Sequence, residues 1–153
     1  MTKIGIISDT HGLLRPEALF ALSGSDLIIH AGDIGPREIL DKLAQIAPVT
    51  AVRGNVDLDG WCSELKLSER IAVEGTSICV IHDIATLALD PVTAGIDVVI
   101  YGHSHRPDIT ERAGVTYLNP GSAGPRRFSL PVSVATLDVT GNGIEARLHE
   151  LPV

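Results

Sequence analysis

Asp9 and His11 stand two residues apart in a chain of 153, directly after the apolar run Ile4 to Ile7, and His103 and His105 repeat that spacing after Val98 to Tyr101. Asp33, Asn55 and His82 each also follow a short apolar run. Side chains two apart in extended backbone point to the same side, so each pair is expected to aim at one target. Seven oxygen or imidazole donors thus come from five separate segments, and four of the chain's six histidines are among them. A lone aspartate at a strand end is ordinarily a turn former, but five such segments point to a shared site. A mixed oxygen and nitrogen donor set without thiolate suits manganese, iron, zinc or nickel. Calcium prefers oxygens alone, and structural zinc sites are closed four-ligand cages. Seven donors exceed what one such ion takes, whereas a carboxylate can bridge two ions, which bimetallic hydrolases hold roughly 3.5–4 Å apart.

The elements that must position these donors are legible as short apolar runs ending in polar turns: residues 3–8, 27–30, 49–53 and 97–101. Pro16 fits the first turn of a helix over 15–22, and Pro36 opens a segment with apolar Ile39, Leu40, Leu43 and Ile46. Short strand–helix–strand crossovers imply parallel pairing, and ligand sites in such sheets lie at the carboxyl ends of strands. The second half reads as hairpins around Gly75-Thr76, Ala113-Gly114 and the turn 140–143, with Asn142-Gly143 as the tight-turn signal. Residues 85–94 have helical composition, interrupted by Pro91. The expected fold is a single α/β domain over 1–153, two packed mixed β-sheets flanked by helices in a four-layer α/β/β/α sandwich.

Composition narrows the function. Apolar residues make up 44% and charged residues 20%, with a mean hydropathy of +0.25, so a disordered chain is excluded. No apolar run approaches the roughly 20 residues needed to cross a bilayer, and the amino terminus lacks the pattern of a signal peptide, so a cytoplasmic location and no membrane partner are expected. A net charge of −7 disfavours nonspecific nucleic-acid binding. None of the three lysines, Lys3, Lys42 and Lys66, follows a glycine, which rules out a GxxxxGK phosphate loop. Cys62 and Cys79 form no CxxC pair and read as buried thiols. Gly141 to Ala146 fits a relaxed dinucleotide fingerprint, but no helix can follow it and it reads as a hairpin turn. Ser104 and Ser122 lack the strand–turn–helix setting of a nucleophile elbow. His30 reads as a structural residue, His149 as solvated, Arg126-Arg127 as surface charge and Arg106 as a candidate phosphate contact.

In their order and spacing, DTHG at 9–12, GD at 32–33 (within HAGD, a segment like that of the small YfcE-type branch), GN at 54–55, His82 and GHSH at 102–105 resemble the calcineurin-like metallophosphoesterases. With NPGSAG at 119–124 and the small size, the chain is similar to the YfcE-type phosphodiesterase branch. The resemblance implies a dinuclear site with Asp9, His11 and His105 on one divalent ion, Asn55, His82 and His103 on the other, and Asp33 bridging. It gives catalytic roles to Asp33, Asn55 and His103, and makes the protein a hydrolase of phosphate esters with a metal-bridging hydroxide as nucleophile. Manganese is the first choice of metal, with nickel, iron or zinc as alternatives, and a small phosphodiester is the implied substrate. Two carboxylates, four neutral imidazoles and one amide set −2 against +4 from two divalent ions, so the site is positive within an acidic protein. A bridging hydroxide would leave about one positive charge for an anionic ester. Self-association into a homo-oligomer is compatible with this reading.

The chain departs from the family pattern at two positions. Many relatives place a leaving-group-protonating histidine after GN, where this chain has Val56 followed by Asp57, so esters with poor leaving groups are expected to react slowly. Asp83 follows His82 where relatives usually carry glycine, and reads as a surface turn residue rather than an extra carboxylate at the site. The rival implication of the same resemblance is a noncatalytic protein-binding scaffold, as in the retromer subunit that shares the fold with an altered metal site.

Overall fold

The computed structural model describes residues 1–58 and 60–153. In chain order the first half comprises β1 (Thr2–Ile7), α1 (Pro16–Leu22), β2 (Leu27–His30), α2 (Glu38–Ala44) and β3 (Val49–Ala51). The second half comprises β4 (Ser68–Val73), β5 (Thr76–Ile81), β6 (Val98–Ile100), β7 (Asp108–Arg112), β8 (Val115–Asn119), β9 (Ser133–Thr140) and β10 (Gly143–Glu150). Two mixed five-stranded sheets result, one ordered β10-β9-β1-β2-β3 and the other β4-β5-β6-β8-β7.

β1, β2 and β3 run parallel, with Ile4 opposite Leu27 and Ile28 opposite Val49, and β5, β6 and β8 run parallel in the second sheet. The helical crossovers demand this pairing in the first sheet. Central strands are buried on both faces, which is why β1 and β2 read as continuous apolar runs. Ile4, Ile6, Ile29, Leu137 and Val139 enter the core between the sheets, where they meet Ile78, Val80, Val98, Ile100 and Leu118 of the second sheet. Ile7, Ile28 and Val134 point the other way, onto Ala18 and Leu22 of α1 and Ile39 and Leu43 of α2. Edge strands β4 and β10 alternate between exposed and half-buried residues, and their charged side chains, such as Glu145 and Arg147, blunt the sheet edges.

The layer outside the second sheet is thin. The helix expected over 85–94 is replaced by a 3-10 turn at Ile84–Thr86 and a separate turn after Pro91. Pro91 has no amide hydrogen for a helical ladder, and Asp90 instead accepts hydrogen bonds from Val92 N and the Thr93 hydroxyl. Ile84, Leu87 and Ala94 still cover the apolar patch of Cys79, Ile81 and Val99. Hairpin registers also shift by one residue from expectation. Val73 pairs with Thr76, so Glu74 and Gly75 form the first turn, both at positive φ as a tight hairpin turn requires. Thr140 likewise pairs with Gly143, leaving Gly141-Asn142 as the third turn. Among the described residues no helix is long and apolar enough to cross a membrane.

Candidate metal centre

The seven donors leave the carboxyl ends of parallel strands: Asp9 and His11 after β1, Asp33 after β2, Asn55 after β3, His82 after β5, and His103 and His105 after β6. The extended backbone expected for the two pairs is not what makes them converge. Asp9, His11, Asp33, His103 and His105 all occupy the left-handed region, with φ of 55°, 46°, 57°, 73° and 62°. Each such residue costs of order 1 kcal/mol or more and persists only where its surroundings over-determine it. Here the β1–β2 ladder continues past the strand ends: Asp9 N donates to Gly32 O (3.0 Å), His11 N to Asp33 O (3.0 Å) and Gly12 N to Ile34 O (2.9 Å).

The side chains meet around two carboxylates. Asp9 Oδ1 lies 3.4 Å from His105 Nε2 and 3.8 Å from both His11 Nε2 and His82 Nε2. Asp33 Oδ2 lies 3.1 Å from His82 Nε2 and 3.7 Å from His11 Nε2. Two groupings have all their donor atoms within 4.8 Å of one another: Asp9, His11 and His105, and Asp9, Asp33 and His82. Asp9 belongs to both, while Asp33 reaches an imidazole of each. His103 and Asn55 are the exposed members of the set. The His103 ring meets the His82 ring edge-on at 5.4 Å, and its amide donates to Asp9 Oδ2.

The donor atoms are left free by their own hydrogen bonding. His82 Nδ1 donates to Ala31 O at 2.7 Å, so the lone pair of Nε2 faces the carboxylates. Asp9 Oδ2 accepts from the Ser8 hydroxyl and the His103 amide, which leaves Oδ1 for another partner. Asp9 Oδ1, His11 Nε2 and His82 Nε2 are buried with no hydrogen-bond partner. Unpartnered buried polar atoms are rare and costly, and three aimed at one another fit divalent cations that would bind them all.

The ionisation states agree. Burial opposes the charge on Asp33, but contact with His82, the Val56 amide and the positive potential of His82 and His11 hold its carboxyl down at about 2. Burial, joined by the charge of Arg127 and His11, holds His105 down at about 4, which keeps it neutral and able to ligate. Burial raises Asp9 above the usual carboxylate range. Burial opposes a charge on His82, but the adjoining carboxylates of Asp33 and Asp9 raise its pKa.

Several bracing residues escaped the sequence reading. Asp57, given no role in the sequence reading, is buried and accepts three backbone hydrogen bonds, from Asp33 N (2.9 Å), Ile34 N (2.9 Å) and Gly54 N (2.8 Å). Its carboxylate is committed to shaping the Asp33 turn. Gly54 packs so closely on Asp33 that a Cβ would fall 2.2 Å from Oδ1. Asn119, within the NPGSAG segment, donates to Gly102 O and Ser104 Oγ, and Ser122 Oγ donates to Asp9 O. His30 is structural as expected. Burial keeps it neutral, with its pKa down at about 3. Its Nδ1 accepts from Gly32 N, so Nε2 donates to Thr10 Oγ1, which in turn donates to Ile34 O. This chain ties the Asp9–His11 loop to the Asp33 loop. Only the Gly-Asn-x-Asp spacing could have pointed to Asp57, because its other partners lie more than twenty residues away.

The remaining candidates are peripheral. Asp83 caps the 3-10 turn by accepting from Ala85 N, the turn role expected of it. Arg126 donates to Val153 O, and Arg106 is exposed. His149 is not free in solvent as expected: it is half-buried and hydrogen-bonded to the Thr136 hydroxyl, because β10 lies flat along β9. Both cysteines are buried, as expected.

Comparison with known proteins identifies the family. Residues 2–142 match the model of the calcineurin-like phosphoesterase superfamily domain. A probable metallophosphoesterase of Methanothermobacter thermautotrophicus is 37% identical, over 95% of this chain and 90% of that protein. The Escherichia coli phosphodiesterase YfcE is 30% identical, over 90% of this chain and 88% of its own. Among solved structures, Vps29 of Chaetomium thermophilum superposes with a TM-score of 0.79 at 21% identity, covering 99% of this chain and 98% of that one, a likeness of fold alone.

Proposed function

The chain belongs to the calcineurin-like phosphoesterase superfamily, and on that premise we propose that it is a phosphodiesterase acting through a dinuclear divalent-metal site, with residues 1–153 forming one catalytic domain. The observation that carries this reading is the trio of buried, unpartnered donors, Asp9 Oδ1, His11 Nε2 and His82 Nε2, gathered around two carboxylates. Asp9, His11 and His105 would hold one ion and Asn55, His82 and His103 the other, with Asp33 bridging. Manganese is the metal first expected, and the substrate is a small phosphodiester. When bound, the two ions would polarise the phosphoryl oxygens and acidify a water for in-line attack.

The chain's own residues do the rest. Asp33 and Asp9 carry the negative charge that retains the cations in an acidic protein. Asn55 and His103, the exposed members, stand where an ester must approach. The Val56 amide and the Asp57 carboxylate fix the rotamer and backbone of Asp33, so the bridging carboxylate does not have to be ordered during turnover. A protein-binding scaffold would not need seven competent donors, and the likeness to Vps29 speaks only to fold.

Leaving-group chemistry gives the test. Val56 has no proton, Asp57 is engaged by three amides and Asp83 caps a turn, so none of them can protonate a departing alkoxide. General acid catalysis is worth roughly 10²–10⁴-fold. With manganese at saturation, bis-aryl phosphates should be hydrolysed faster than the corresponding alkyl esters by a margin larger than their intrinsic reactivity difference by about that factor. A margin equal to the intrinsic difference would show that another group supplies the proton, and no hydrolysis of either would overturn the phosphodiesterase reading.

A further inference from the structure

Beside Asn55 the surface opens into a cleft of about 490 Å³ lined by Arg53, Asn55, Leu58, Ser63 and Leu67 among others. The metal-centre chemistry above does not use it. Two of its walls are unusual for a protein surface: Leu58 is 85% exposed and Leu67 61%. Two large aliphatic side chains standing in water within ten residues gain nothing for the fold. Exposed apolar surface that clusters beside polar groups is a common mark of a ligand site. Arg53 adds a cation. Its backbone amide donates to Lys66 O, and its side chain forms no ion pair among the described residues.

The cleft is continuous with the metal centre through the backbone. Gly54 packs on Asp33, Val56 N donates to Asp33 Oδ1, and Asn55 between them lines the cleft. An ester whose phosphate is held by the ions at the centre therefore has this cleft beside it, next to the segment 54–56 that braces Asp33, for one organic group.

We propose that this cleft is the subsite for the organic group of the phosphodiester, and that it selects a flat apolar ring over a small alkyl or strongly polar group. Leu58 and Leu67 supply apolar walls and Arg53 a guanidinium that can lie over a ring face. This inference rests on the phosphodiesterase reading, since the phosphate anchors the ring.

Non-hydrolysable anions separate the two. Diphenylphosphinate and dimethylphosphinate share the charged PO₂ core of a phosphodiester but carry carbon–phosphorus bonds. Calorimetric titration into the manganese-loaded protein should show diphenylphosphinate bound at least about 10-fold more tightly, since apolar contacts of this size discriminate by roughly 10–200-fold. In L58S/L67S, whose replaced side chains are exposed and leave the core intact, the preference should shrink to within about threefold. R53Q should reduce it by a smaller factor. Equal binding of the two anions by the wild type, binding of neither, or an undiminished preference in L58S/L67S would overturn the subsite. Turnover of bis-aryl phosphates without any ring preference in binding would remove the subsite and leave the phosphodiesterase reading standing. Ring preference without turnover would do the reverse.

Discussion

Replacing Asp57 with alanine should lower the melting temperature of the metal-free protein by roughly 6–12 °C. The carboxylate is buried and accepts from the amides of Asp33, Ile34 and Gly54. Alanine leaves those three donors facing a small cavity, and each buried unsatisfied amide costs about 1–3 kcal/mol. Taking the low end for each, because water can enter beside the exposed Asn55, gives about 3 kcal/mol in total. For a chain of this size 1 kcal/mol corresponds to about 2–4 °C. Asp57→Asn should fall between wild type and alanine, since one amide oxygen can still accept while the NH₂ group opposes the remaining donors. Thermal unfolding followed by circular dichroism in the presence of a chelator checks this, and a shift below about 2 °C for Asp57→Ala would contradict the bracing role.

The second large effect is on function. Asp33→Asn should reduce phosphodiester hydrolysis by more than about 100-fold, the upper end for residues that only brace a metal ligand, while the apo fold survives. The amide oxygen can keep the Val56 hydrogen bond at Oδ1, so the turn holds. What is lost is the second oxygen, 3.1 Å from His82 and 3.7 Å from His11, together with one of the two negative charges that face these imidazoles. An amide cannot bridge two cations with two anionic oxygens. Manganese content after loading should fall in parallel with rate. A variant that retained wild-type metal content and more than about a tenth of the activity would remove Asp33 from the bridge.

These two aspartates show what the sequence could and could not reveal. Asp33 was visible because it ends an apolar run in the same way as Asp9, Asn55, His82 and His103, and strand ends in parallel sheets are where ligands bind. The strands were legible too, since their β-branched runs are buried on both faces. Asp57 was missed because its work is defined by amides at positions 33 and 34, more than twenty residues away, and no local pattern encodes such a contact. The same holds for Asn119, which steadies the loop carrying His103 and His105 from seventeen residues downstream. The left-handed conformations of Asp9, His11 and Asp33 were also hidden, because non-glycine residues adopt them under tertiary constraint rather than by preference. Residues 85–94 failed for the opposite reason: their composition favours helix, but Pro91 and the Asp90 turn override it.

Counting metal ions tests the central claim most directly. Purified protein loaded with manganese, desalted and assayed by elemental analysis should carry two ions per chain. Its hydrolysis of a bis-aryl phosphate should disappear on chelation and return when the ions are restored. One ion per chain at saturation, or activity that persists after complete chelation, would contradict a dinuclear centre built on Asp9, Asp33 and their histidines.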